Sequence, residues 1–273
     1  MATSTDDSTT TDGGDPILEG QNVIKIYNEN DSMKESVRAL EGVDFTVSEN
    51  EFVAVVGPSG CGKTTLLHIF AGLVDASQGH VLYRGEPIRG PSTERAVVFQ
   101  HFNLFPWRTV LENVGFGAEM QGQSKSEYRE RAQEYIDLVN LTGFEDHYPS
   151  ELSGGMKQRV GLARALTVSP DVLLMDEPFG ALDAQTRELM QEELLRIWEQ
   201  DRKTILFITH DIDEALMLAD RVLVMGIDPR KIISEIKVPF ERPRYDRGIE
   251  GTETYSKLKL EIWEMLKKDI QVK

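Results

Sequence analysis

Short, unbroken apolar runs rich in Val and Ile punctuate the chain at Val53–Val56, Ala96–Phe99, Val172–Met175, Thr204–Ile208 and Val222–Met225. Runs of this length suit strands covered on both faces, as in a parallel sheet flanked by helices. Gly20–Tyr27, Val43–Val47 and His80–Arg84 instead alternate apolar with polar positions, which predicts half-buried antiparallel strands. Between Phe99 and Val172 the strand signals stop and helical spacing takes over, at Thr109–Gln121, Glu127–Val139 and Gly154–Val168. Ser124 stands three residues before Glu127, the spacing of a capping box. Leu66–Leu73 reads as a further apolar helix, and Ala184–Gln200 puts Met190, Leu194, Ile197 and Trp198 on one face. The pattern predicts an α/β core with a helical insertion, and no internal repeat is visible.

The two ends depart from this pattern. Met1–Pro16 is rich in Ser, Thr, Asp and Gly, with four Asp and no basic residue. It lacks the positive start and the apolar run of roughly 7–15 residues of a secretory signal, so residues 1–18 are expected to be a disordered acidic tail. After Pro239 the chain turns charged over Glu241–Gly251. Tyr255, Leu258, Ile262 and Leu266 then recur at helical spacing with Trp263 beside them. Residues 241–273 are expected to be an amphipathic helical tail, packed on its own domain or on a partner. No apolar run approaches the roughly 18–20 residues that span a bilayer, so any action at a membrane is expected to go through a partner chain.

Charge narrows the functional classes. Asp plus Glu number 46 against 30 Lys plus Arg, a net charge of -16 over 273 residues. That excludes an overall positive field for nucleic acid or anionic lipid and leaves only local basic patches. The single cysteine, Cys61, excludes an internal disulfide framework and fits a reducing compartment.

Three segments carry chemistry. Gly57-Pro58-Ser59-Gly60-Cys61-Gly62-Lys63-Thr64, followed by Thr65, fits the phosphate-binding loop pattern between a strand and a helix. Its glycines let backbone N–H groups turn toward an anion, and the helix N-terminus adds partial positive charge. Lys63 is placed to reach β- and γ-phosphates and the Thr64 hydroxyl to ligate Mg²⁺. Val172–Met175 runs into Asp176 and Glu177. Beside such a loop, Asp176 suits Mg²⁺, mainly through water, and Glu177 suits an attacking water. In isolation, the same pair is an ordinary acidic strand end. Leu152-Ser153-Gly154-Gly155-Met156-Lys157-Gln158 places Ser153 as N-cap of an amphipathic helix, a second anion-binding helix terminus.

These segments, with Gln100, Ala181-Leu182-Asp183 and His210 in the same order, resemble the nucleotide-binding subunit of ATP-binding-cassette (ABC) transporters. The resemblance covers roughly residues 19–240. It implies an α/β P-loop NTPase with a RecA-like core, an antiparallel β subdomain and an inserted helical signature subdomain at about 101–169. It further implies ATP and Mg²⁺ as ligands and a head-to-tail dimer closed by two ATP molecules. Ser153, Gly154 and Gly155 would then touch the γ-phosphate on the other copy's loop. Gln100, otherwise a solvated strand end, would touch Mg²⁺ or the water. His210, otherwise a structural histidine, would hydrogen-bond the γ-phosphate beside Glu177. Asp183 would shape the dimer interface, and Tyr27 would stack on adenine unless it is a core aromatic. Cys61 falls at a variable family position and is given no catalytic role.

Gln100–Val114 resembles importer ATPases for nitrate, sulfonate, taurine and related small anions, and Pro106-Trp107 and the tail support that branch. The resemblance implies permease subunits as partners, indirectly a solute-binding protein, and a place on the cytoplasmic face of the membrane. An exporter subunit is one alternative. A soluble ABC ATPase acting on nucleic acid is another, disfavoured by the charge and by the lack of a long coiled-coil insertion. The apolar loop Phe102–Trp107 folds back onto the helical insertion or lines a cleft for a permease helix.

Overall fold

The computed structural model describes residues 16–29, 35–200, 202–244 and 248–271. The expected acidic tail lies outside these up to residue 15. In chain order the strands are β1 Pro16–Tyr27, β2 Val37–Ser48, β3 Phe52–Val56, β4 Gln78–Tyr83, β5 Glu86–Pro87, β6 Arg95–Val98, β7 Val172–Asp176, β8 Thr204–Thr209, β9 Arg221–Met225 and β10 Ile232–Lys237. The helices are α1 Lys63–Phe70, α2 Val110–Val114, α3 Phe116–Met120, α4 Lys125–Leu138, α5 Gly154–Leu166, α6 Ala184–Gln200, α7 Ile212–Leu218 and α8 Glu253–Gln271.

The unbroken apolar runs form one sheet in the order β10-β9-β3-β8-β7-β6. Its strands are parallel except for the antiparallel edge pair β9–β10. Every residue of β3, β7 and β8 is buried, and strand alternation divides them between two cores. Phe52, Ala54, Val56, Leu173, Met175, Ile205 and Phe207 face the helices of the insertion with α6 and α7. Val53, Val55, Val172, Leu174, Leu206 and Ile208 face α1 and the second sheet. That second sheet is antiparallel, in the order β2-β1-β4-β5.

The structure departs from the sequence pattern at several points. β1 begins at Pro16, and Ile17 and Leu18 are buried, so residues 16–18 belong to the sheet rather than to a disordered tail. The helix expected over Thr109–Gln121 is two short helices parted at Gly115. A Cβ there would stand 2.7 Å from the Tyr128 ring, so that ring packs where no other residue fits. Both α2 and α4 start in capping boxes, Thr109 with Glu112 and Ser124 with Glu127. α7 and β10 have no counterpart among the expected elements. α8 packs on its own domain, burying Tyr255 and Ile262 and laying Leu258, Met265 and Leu266 against the helical-side core. Asp213 fastens its start by accepting from Tyr255 Oη and Lys259 Nζ, each at 2.7 Å. Asp269 fastens its end by accepting from the backbone N–H groups of Ile227 and Asp228. Among the described residues no helix is long and apolar enough to cross a membrane.

Candidate active site

The chemistry-bearing side chains gather where the parallel strands end, the usual ligand crevice of such sheets. β3 runs into the loop Gly57–Gly62, which opens α1 at Lys63. Two glycines here are obligatory. A Cβ on Gly57 would lie 2.5 Å from the Met225 carbonyl, and Gly62, at φ 109°, would lie 2.4 Å from the Ala39 carbonyl. Gly60 also has positive φ, and Ser59 and Gly60 are exposed at the tip. Pro58 and Thr65 are half-buried. Cys61 is fully buried, and burial pushes its thiol pKa up.

Lys63 is buried, and its Nζ donates to the carbonyls of Gly57 at 2.7 Å and Pro58 at 3.1 Å. The same ammonium is 3.9 Å from Glu177 Oε1. Thr64 Oγ1 donates to Asp176 Oδ1 at 3.1 Å. Asp176 ends β7 in the interior, and burial raises its carboxyl pKa against the opposing effect of the Thr64 hydroxyl. Glu177 follows with φ 42°. Its N–H donates to the Ile208 carbonyl at 2.9 Å, and its Oε2 is 3.0 Å from His210 Nδ1. Gln100 stands exposed just after β6. Its Nε2 and Glu177 Oε2 converge over Gly180, each 3.7 Å from where a Cβ would be.

Lys63, Thr64, Gln100, Asp176, Glu177 and His210 are therefore brought to one site. The other expected residues sit elsewhere in the chain's contacts. Ser153 caps α5, accepting from the Met156 N–H at 3.3 Å. Gly155 packs on α6, where a Cβ would meet Thr186 at 2.6 Å. Asp183 accepts from the Thr186 N–H at 3.1 Å and the Thr186 hydroxyl at 2.7 Å, which holds its pKa below the usual carboxylate range. Tyr27 is exposed at the end of β1 with Lys25 Nζ 5.0 Å from its ring centre, so it is a surface aromatic and not a core one. Sequence reasoning missed the brace behind His210. There Thr209 Oγ1 donates to Glu214 at 2.6 Å and accepts from the Asp211 N–H at 3.0 Å. The polar residues that open α7 were its only signal.

The donor set is chemically coherent. A threonine hydroxyl, a carboxylate and an amide oxygen are hard oxygen ligands of the kind Mg²⁺ takes alongside water and phosphate. Among the described residues no three His, Cys, Asp or Glu gather as an all-protein metal cage. A loop of N–H groups with a lysine, beside a carboxylate braced by an imidazole, is the site of a P-loop phosphohydrolase acting on nucleoside triphosphate.

The comparisons with known proteins agree. The family described as ABC transporter matches residues 40–180. An uncharacterized ABC transporter ATP-binding protein of Methanocaldococcus jannaschii is 50% identical over 241 residues, 88% of this chain and 89% of that protein. The nitrate import ATP-binding protein NrtD of Synechococcus elongatus is 46% identical over 231 residues, 84% of each chain. The taurine import ATP-binding protein TauB of Ruegeria pomeroyi is 46% identical over 234 residues, 85% of this chain and 87% of that one. Among solved structures, the dimeric ABC transporter cassette MJ0796 superposes with a TM-score of 0.72 at 34% identity, covering 82% of this chain and all of its own. The same cassette was also solved as a dimer in a post-hydrolysis state with ADP and phosphate. The chain belongs to the ABC transporter family, and it is an ATP-binding, ATP-hydrolysing subunit of that family.

Proposed function

We propose that this ATPase energises a membrane importer for nitrate, taurine, a sulfonate or a related small anion. The names of NrtD and TauB support import and this solute class. The net charge of -16 speaks against a nucleic-acid machine. Residues 19–240 are read as the ATPase domain with its β-sheet extending to Pro16, about 101–169 as the helical subdomain, and 241–273 as the tail. The partners are a second copy of this chain, integral permease subunits and, through them, a solute-binding protein. The chain sits on the cytoplasmic face of the membrane through the permease. Trp107 is 71% exposed beside Phe105. Phe105 itself stacks on Phe116 at 4.6 Å, so Phe105 is packed against the helical insertion and Trp107 is left for a partner.

In the mechanism, the loop N–H groups of Gly57–Thr65 and Lys63 bind the β- and γ-phosphates, and Tyr27 stacks on adenine. Thr64, Asp176 and Gln100 would hold Mg²⁺, which when bound would neutralise phosphate charge. Glu177 orients the attacking water and accepts its proton. His210 fixes the Glu177 carboxylate and reaches the γ-phosphate. Ser153, Gly154 and Gly155 of the second copy close over that phosphate, with Asp183 at the interface. The observation that carries this reading is the Glu177 carboxylate held between His210 at 3.0 Å and Lys63 at 3.9 Å. Glu177→Gln should keep ATP binding, lower turnover at least about 100-fold, and accumulate an ATP-bound dimer. Steady-state turnover near the parent's rate would remove Glu177 from the role.

A further inference from the structure

The C-terminal helix does more than pack on its own domain. Tyr255, Ile262, Met265 and Leu266 already hold α8 to the core, yet Trp263 is left 48% exposed. It projects where Lys267 Nζ lies 4.7 Å from its ring centre, a cation–π contact that fixes the indole outside the core. Together with Leu266 and Lys267, Trp263 forms one wall of an open cleft of about 410 Å³. The same cleft is lined by residues of the nucleotide site, Gly57 and Pro58 of the phosphate loop and His210, and by Ile212. The cleft is mostly apolar, and a half-exposed indole in water costs roughly 25 cal/mol for each Å² that a partner covers.

Resting on the dimer in the reading above, we infer that this cleft is covered by the second copy of this chain, so that α8 completes the ATP-closed interface. The surface is continuous with the residues that the second copy must approach to reach the γ-phosphate. The net charge of -16 on each copy opposes association, so closure has to draw on surface such as this mostly apolar cleft. ATP binding, dimer closure and the position of α8 are then linked, since one cleft is bounded by all three.

Sedimentation with ATP tests this in a Glu177→Gln background, which holds the dimer. Trp263→Asp in that background should weaken dimerisation at least ten-fold while ATP affinity of the monomer stays unchanged. Lys267→Glu, an exposed change that leaves the packing of α8 alone, should weaken it in the same direction. Dimerisation of both double variants at the parent strength overturns the inference and leaves the ATP-closed dimer standing. If Trp263→Asp loses ATP binding and Lys267→Glu dimerises normally, the cleft belongs to the monomer and the inference fails. If Glu177→Gln alone stays monomeric with ATP, the dimer reading and this inference fall together.

Discussion

Glu177 is a non-glycine residue in the left-handed region, at φ 42°, a conformation that costs on the order of 1–3 kcal/mol. Its N–H bond to the Ile208 carbonyl and the Gly180 N–H bond back to its own carbonyl, at 2.9 and 3.0 Å, hold it there. The turn aims the carboxylate at His210. Asp176, one residue earlier, faces inward, and its raised pKa gives a signed expectation. A carboxyl whose pKa is raised by folding binds its proton more tightly in the folded chain. It therefore costs stability increasingly as pH rises above the ordinary aspartate value of about 3.9, in full above the raised value, and the cost vanishes below the ordinary one. Asp176→Asn removes the charge and keeps an acceptor for Thr64. The nucleotide-free variant should melt above the parent at neutral pH, with the gap shrinking on acidification. Its Mg²⁺ requirement in ATPase assays should rise by about 10–100-fold. An Asn variant that melts below the parent at neutral pH would show that the charge is not desolvated. The identities of these residues were legible in the sequence because loop and strand-end spacings are local. The backbone state of Glu177 was not, because no apolar period reports a single φ.

At the scale of elements, α7 ends on carbonyls that its own ladder leaves open. Arg244, from the tail, supplies the partners: Nη1 donates to Leu216 and Met217 at 3.2 Å and to Ala219 at 2.6 Å, and Nε donates to Phe240 at 3.1 Å. The guanidinium is almost fully buried, and burial, with Arg242 adding repulsion, lowers its pKa to about 10. It stays cationic at neutral pH. Arg244→Met fills the volume but strands the carbonyls, and should cost about 3 kcal/mol in urea unfolding. Arg244→Lys should recover only part, because an ammonium lacks the planar fork. A loss within the scatter of surface substitutions would mean that water replaces the guanidinium. This cap also explains which elements were readable. β3, β7 and β8 are unbroken apolar runs and the long α6 repeats one period over several turns, so the pattern alone located them. α7 is only seven residues long, and β10 is an edge strand with one buried position. Both depend on contacts with distant segments, and local periodicity cannot report those.

The whole molecule carries its acid excess over a fold whose proposed dimer brings two like-charged copies together. Self-repulsion of this kind opposes association over the range that salt leaves unscreened. The attractive contacts are different in kind. The α8 cleft is mostly apolar, and apolar burial is not screened like exposed charge. Added salt should therefore remove more repulsion than attraction. With ATP present, the Glu177→Gln dimer should tighten several-fold as KCl rises from about 0.1 to about 1 M, where the screening length falls from roughly 10 to 3 Å. Sedimentation across that series reads the dissociation constant directly. A dimer that loosens with salt would mean that exposed ion pairs across the interface outweigh the net repulsion. In that case Lys267→Glu, which exchanges one such cation for an anion, should flatten the salt dependence.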